Sequence, residues 1–347
     1  MAKKNRTILG IFIESIGLYF SNFSKFINYM TFPVLGQVFG LILIFGAVYF
    51  YSKFYPALIL QFSWLDNFNL MVLFSILVTL PGMIVFLKAF WEYLVAYGAI
   101  NSMLENMLKS GRVYDFDAHT ELVKRQTPTF IGLWILIGMF SIIAIVPIFW
   151  IPAGVIGIFC ILIFQAFTFE DKLSPIGCVR KSFSLIKGNF LNTFMLLMLV
   201  ILLTYFLIPQ LIQTLCNISH TTDFLSSLIK PFLVLFPVDT IQTFLISLGL
   251  KVDFIKFFSD VLVASLIGQI FIQYTLPLRS ILWSMWYKEL NGGLTKIELK
   301  KKTQSRTSKS KIKRPSEQLM KNSHKKFVTK KIDRNILKRA MEKDDEA

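Results

Sequence analysis

Runs of about 20 apolar residues, the length that crosses the hydrocarbon of a bilayer, recur along this chain. That feature leaves few folds open. In hydrocarbon every backbone N–H and C=O must find a partner inside the protein, so a spanning segment is a helix or part of a closed barrel. The runs are too long and too continuously apolar for barrel strands. They extend from about Tyr29 to Tyr51, from Asn69 until they fade between Phe86 and Ile100, and from Phe130 to about Phe149. A fourth runs from Ala153 to Phe169, a fifth from about Phe190 to Leu215, and the last from Val261 to Leu278. Between the last two lies an apolar region, Phe224 to Leu250, broken by Lys230, Pro231, Pro237 and Asp239.

Composition agrees. The chain is 54% hydrophobic and only 17% charged, against about 25% charged in soluble domains. Its mean hydropathy is +0.58. The expected fold is all-α: a polytopic membrane helix bundle of about six spans. Pro147 and Pro152 punctuate the join between the third and fourth runs, which predicts a tight helical hairpin over 130–169.

Lysine and arginine bias sets orientation. The head carries Lys3, Lys4 and Arg6. The loop 101–129 carries Lys109, Arg112, Lys124 and Arg125, and the loop 170–189 carries Lys172, Arg180, Lys181 and Lys187. The alternate loop 52–68 has only Lys53, and the 146–152 join has none. Both termini are therefore expected in the cytoplasm, with 216–256 outside and the broken region 224–250 lying along the outer interface or re-entering. The start, MAKKNRTILGIFIESIGLYF, is not read as a cleaved signal peptide, because Glu14 and Asn22 interrupt it and no small-residue cleavage site follows.

The segment SPIGCVRKSFSLIKGNF, 174–190, interrupts the apolar text with a pattern. Ser174 suits an N-cap, Pro175 the first helical position, and Gly188 the left-handed position after the end. At about 100° per residue, Ile176, Val179, Phe183 and Ile186 fall together, extended by Leu185, Cys178 and Ser182. Arg180, Lys181, Ser184, Lys187 and Gly177 take the other arc. A basic amphipathic helix lying in the membrane surface is predicted, the alternative being a loop helix packed on the bundle. The pattern recurs near the start. Gly10, Ser15, Leu18, Asn22 and Phe23 match Gly177, Ser182, Leu185, Asn189 and Phe190 at a constant offset, and a weaker echo pairs residues 101–104 with 279–282. Two parallel repeats are inferred, 8–110 and 174–290, each opened by a surface helix, with the hairpin 130–169 inserted between them. Residues 1–290 then form a membrane domain and 291–347 a basic tail, expected to be mostly disordered.

The run Phe169-Glu170, Ser174-Pro175, Arg180-Lys181-Ser182, Leu185 and Lys187-Gly188-Asn189-Phe190 resembles the membrane domain associated with glycerophosphodiester phosphodiesterases and its stand-alone bacterial relatives. TrpSerMetTrpTyrLysGluLeu, 283–290, stands where that family ends in a Leu-x-Tyr-Tyr-Asp-Leu-Arg-like motif. The resemblance implies a helical membrane domain over about 5–290. It implies no hydrolase, because the His-Arg-Gly motif that opens the family's catalytic domain is missing from this sequence.

Few residues present themselves as a site. Three cysteines and three histidines are scattered, giving no disulfide framework and no local metal cluster. No catalytic residue, cofactor or metal is assigned. Arg180, Lys181, Lys187 and Arg279 are candidate contacts for lipid headgroups. Lys88 and Glu92, one helical turn apart, and Gln269 and Gln273, on one face of the last span, are candidate intramembrane polar groups. GQVFG, 36–40, permits close helix approach. In the tail, which has 19 Lys/Arg against 8 Asp/Glu over 288–347, residues 332–341 suggest a short amphipathic helix. Without interleaved aromatics for base stacking, anionic lipid outranks nucleic acid as its partner. The expected function is a non-enzymatic anchor, scaffold or lipid-interacting protein of a bacterial inner membrane; the alternative is a transporter or permease.

Overall fold

In hydrocarbon the backbone's only economical solution is the helix, and every described element is helical. The structure, a computed structural model, describes residues 7–113, 115–170, 173–235, 238–249 and 253–292. The expected tail disorder, the helix at 332–341, and Lys3, Lys4, Arg6 and Lys172 lie outside the described residues. In chain order the helices are α1 (Ile8–Ser21), α2 (Phe23–Gln61), α3 (Phe68–Ser110), α4 (Phe116–Arg125), α5 (Thr127–Ile143), α6 (Trp150–Cys160) and α7 (Ile163–Phe169). There follow α8 (Pro175–Ile186), α9 (Phe190–Ile201), α10 (Ile208–Ile218), α11 (Thr221–Ile229), α12 (Val238–Ser247), α13 (Phe254–Tyr274) and α14 (Leu276–Leu290). A π-helical segment, Leu202–Leu207, joins α9 to α10.

Five segments are long and apolar enough to cross a membrane: Phe23–Gln61, Phe68–Ser110, Pro147–Phe169, Phe190–Ile218 and Phe254–Tyr274. Two bent pairs raise the number to 7 if each counts as one span. These are α4 with α5, bent by 78°, and Thr221–Leu233 with Val238–Ser247, bent by 99°. The expected six spans sit inside that range. The chain is a multi-pass membrane protein on these lengths and compositions.

The second run does not fade where the sequence suggests. α3 continues for 43 residues, a rod of roughly 65 Å, about twice the hydrocarbon thickness of roughly 30 Å. It stops at Gly111, whose φ of 72° is left-handed and whose N–H caps the Met107 carbonyl. The two halves of the rod have different surroundings. Leu77, Leu80, Ile84 and Leu87 are exposed, while Val95, Ala99, Ile100, Met103, Leu104 and Met107 have no exposed surface. The exposed stretch leaves its apolar side chains uncovered by the protein, and the rest enters a core built with α1, α7, α8 and α14. In α14, Ile281, Met285 and Tyr287 are fully buried.

The last run also divides. Instead of one helix to Leu278, α13 ends at Tyr274 and α14 begins after Thr275. Pro277 cannot donate to the ladder, so the chain restarts with proline in the first turn.

α8 forms as expected at its start: the Ser174 hydroxyl accepts from Gly177 N–H at 3.2 Å, and Pro175 opens the helix. Its end differs. Gly188 is not left-handed. The chain turns instead at Asn189 (φ −134°, ψ 25°), whose N–H bonds the Ile186 carbonyl. The expected apolar side also divides. Cys178, Ser182 and Ile186 are buried against the protein, whereas Ile176 and Phe183 are exposed. Ser182 causes this. Its hydroxyl donates to the Phe159 carbonyl at 2.6 Å and accepts from Leu162 N–H, and so holds the helix to the α6–α7 junction.

α1 buries the matching positions. Ile11, Ser15 and Tyr19 correspond to Cys178, Ser182 and Ile186 at the spacing of the sequence match, and all are buried. Asn22 and Asn189 both break their helices, and each donates back to the carbonyl four residues earlier, Leu18 and Leu185. The partners differ: Ser15 meets Met285 on α14, Ser182 meets the α6–α7 junction.

The GQVFG pair is used inside the chain. A Cβ on Gly40 would stand 2.8 Å from Phe86 Cα, and one on Gly82 would stand 2.8 Å from Ile44 N. The backbones of α2 and α3 thus touch, the contact that small residues permit between membrane helices. Gly40→Ala should therefore destabilise by about 1–3 kcal/mol, whereas Gly46→Ala, with nothing within 4 Å of its Cβ, should not. Thermal unfolding of both variants in detergent checks this; equal midpoints would refute the contact.

Candidate functional site

A cavity of about 820 Å³ opens between the α5–α6 hairpin, α9, the π segment and the start of α14. Its walls are apolar, including Trp134, Phe140, Trp150, Phe164 and Leu197. Tyr93, Tyr97, Tyr205 and Arg279 also line it. Local backbone features set two of these side chains, Tyr205 and Arg279. Pro209 removes a donor and would crowd the carbonyl of Tyr205 in a regular helix. The chain widens into the π segment there, a device that re-aims side chains. Tyr205 lies in that segment, and Arg279 in the first turns of α14.

The two residues meet. Arg279 Nη1 donates to Tyr205 Oη, and the guanidinium carbon stands 5.3 Å from the Tyr205 ring centroid. Nη2 donates to the Ile272 carbonyl at 3.0 Å and to Tyr93 Oη at 3.4 Å. Nε is buried with no partner. Among the described residues no carboxylate pairs with this cation, and its partners are neutral. A cation held this way at an apolar wall is costly unless an opposite charge reaches it.

Beneath the cavity lies a polar hub. Asn101, Gln165, Ser280 and Ser284 have no exposed surface. Asn101 Oδ1 accepts from Ser280 Oγ, from Ser284 Oγ at 2.9 Å and from Gln165 Nε2 at 3.3 Å. Gln165 Nε2 also reaches Tyr97 Oη at 3.3 Å. The hub ties α3, α7 and α14 together. Asn101→Leu should leave the Ser284 hydroxyl without its acceptor and Gln165 Nε2 with one of two, Ser280 keeping the Tyr97 carbonyl, and destabilise by about 1–3 kcal/mol, read as a lowered thermal midpoint. A midpoint like the parent's would show that the hub is dispensable.

The patterned segment 169–190 and residues 283–290 also converge. Glu170 accepts from Tyr287 Oη at 2.7 Å, from Lys181 Nζ at 3.1 Å and from Asn291 Nδ2 at 3.2 Å. Lys288 Nζ sits 4.0 Å from the Phe169 ring centroid and pairs with Glu105. Trp286 Nε1 donates to Thr193 Oγ1 at 3.0 Å. The signature before α9 and the motif of α14 are two sides of one clasp. The Tyr287 hydroxyl, and then Lys181, hold the Glu170 carboxyl below its usual 4.5. A lowered carboxyl value stabilises the fold above the unfolded-state value. That contribution should be intact at neutral pH and lost as pH falls below about 4.5 through the lowered folded value. Glu170→Gln should flatten this acid limb in a pH series of unfolding midpoints; an unchanged limb would refute it.

The sequence-derived candidates do not form one site. Arg180 and Lys187 are exposed, with no side-chain partner among the described residues. Lys181 is engaged by Glu170 rather than free for a headgroup. Lys88 and Glu92 share a helix face but do not pair: Lys88 lies over the Phe32 ring at 5.6 Å, and Glu92 takes Lys124 of α4 at 3.2 Å. Gln269 is exposed, and Gln273 is half-buried with its Oε1 unpartnered. Only Arg279 lines the cavity. Sequence reading missed Tyr93, Tyr205 and Asn101. The available signal was Asn101 and the two tyrosines standing inside apolar helices. No family model, curated protein or solved structure matches the chain.

Proposed function

We propose that this chain is a membrane anchor or organiser that engages anionic lipid at the cytoplasmic surface, without catalysis. The observation that carries this is the outer face of α8. Arg180 and Lys187 are exposed, with no side-chain partner among the described residues, beside exposed Ile176 and the partly stacked Phe183, while the opposite face is fixed to the protein through Ser182. A helix with one face held, an apolar edge and a cationic edge suits the headgroup boundary. On α1, Leu9, Ile13 and Phe20 offer a similar exposed apolar edge.

The basic loops support both termini lying in the cytoplasm, and the family resemblance supports a bacterial membrane. Two parallel repeats account for the matching buried positions of α1 and α8. A solute path would need Lys88, Glu92, Gln269 and Gln273 to converge. Their separate contacts favour the lipid reading over transport.

Each cation near an anionic surface contributes about 1 kcal/mol. Arg180→Gln with Lys187→Gln should therefore cut photocrosslinking to phosphatidylglycerol headgroups in nanodiscs several-fold, with no change in unfolding midpoint. Unchanged crosslinking would overturn the proposal.

A further inference from the structure

The cavity contains donors for an anion and walls for a chain. Among the described residues Arg279 is the only charged one lining it, and no Asp or Glu does. Tyr93 and Tyr205 hydroxyls accept from Arg279, and a hydroxyl that accepts still has its own O–H to donate. Trp134 Nε1 and Arg279 Nε are buried without a partner and do not reach the cavity surface. The two tyrosine O–H groups and the remaining Nη1 hydrogen of Arg279 are the donors left for an acceptor. The remaining surface is aromatic and aliphatic. The volume, about 820 Å³, falls within the roughly 300–1,000 Å³ of sites that bury a small ligand.

We infer that this cavity binds an anionic glycerophospholipid, with the phosphate against Arg279, Tyr93 and Tyr205 and one acyl chain along the walls of α5 and α6. The charge argues for an anionic lipid over a zwitterionic one. A choline or ethanolamine group brings a cation, and the lining holds no carboxylate to receive it. The phosphate supplies the opposite charge that the half-buried guanidinium lacks, and a charge-assisted contact to Arg strengthens the hydrogen bonds from the two tyrosine hydroxyls. The chain segments that build the site are specific to it: the π segment delivers Tyr205, and the break at Thr275 starts the helix that delivers Arg279. This goes beyond the surface reading and uses neither Arg180 nor Lys187, so the two fail separately.

The test uses the full chain, delipidated in detergent. Phosphatidylglycerol, phosphatidylcholine, oleate and inorganic phosphate are each titrated, and retained molecules are counted by native mass spectrometry. Phosphatidylglycerol should bind at unit stoichiometry. Arg279→Gln should weaken it about tenfold, the scale of one lost charge-assisted contact, and Arg279→Lys should restore part of that. Gly157→Phe places a ring in the cavity, across the path of the acyl chain, from a position where a Cβ meets nothing within 4 Å. It should exclude the lipid while leaving the unfolding midpoint unchanged. Arg180→Gln with Lys187→Gln should leave this binding intact. Acyl-brominated phosphatidylglycerol should quench tryptophan emission, by less in Trp134→Phe. Retention of the lipid by Gly157→Phe would overturn the inference. So would equal binding of phosphatidylcholine, or saturation by oleate or phosphate with none by phosphatidylglycerol.

Discussion

Asn101 is the point on which the inner half of the molecule turns. It is one carboxamide, without exposure, at the meeting of α3, α7 and α14. Apolar packing alone specifies helix contacts weakly in a membrane, because lipid competes for the same surfaces. A buried polar group is different. Its partners must be in place, or it bears its full desolvation cost. Three donors converge on Oδ1 and tie α14 and α7 to α3, while Asn101 Nδ2 and Gln165 Oε1 are buried without a partner. The surrounding Ala99, Met103 and Ile281 then pack without exposure.

The clasp around Glu170 acts at the same end of the bundle. It joins the end of α7, α8 and α14 through one carboxylate. The Asn22 carboxamide does comparable service at the exit of α3. Its Oδ1 accepts from Val113 N–H at 2.9 Å, while Nδ2 reaches the Gly111 and Leu18 carbonyls. Three separate polar clips thus close the buried core, while the stretches of α2 and α3 away from it rely on backbone contact through Gly40 and Gly82. The cavity opens beside the hub and shares Tyr97 with it. The Tyr97 hydroxyl meets Gln165, its carbonyl takes Ser280, and its side chain lines the cavity. The stiffness of the hub thus becomes the stiffness of one wall of the proposed lipid site.

Helical class, the proline-marked break at Pro147 and the start of α8 could be read directly. Each rests on local chemistry: apolar length, proline punctuation, and a serine before a proline. The matched serines of α1 and α8 were also legible as a spacing, though not as buried contacts. Lys88 and Glu92 show the limit. Their spacing permits an ion pair, but Lys124, 32 residues beyond Glu92, takes the carboxylate instead. Lys181 shows it again, since a cation on a helix wheel does not reveal an acidic neighbour that arrives from the preceding helix.

Alone, the sequence determined that the chain is helical, that it enters a membrane repeatedly, and that charge gathers between spans and in the tail. Those properties depend on the solvation of each segment taken singly. Tertiary structure decided which polar groups meet: Arg279 with two tyrosines from helices remote in sequence, and Asn101 with two serines and a glutamine. Such meetings depend on where helices bend and cross, and a π segment, a restart at Thr275 and a glycine contact set those angles through packing that no single segment contains.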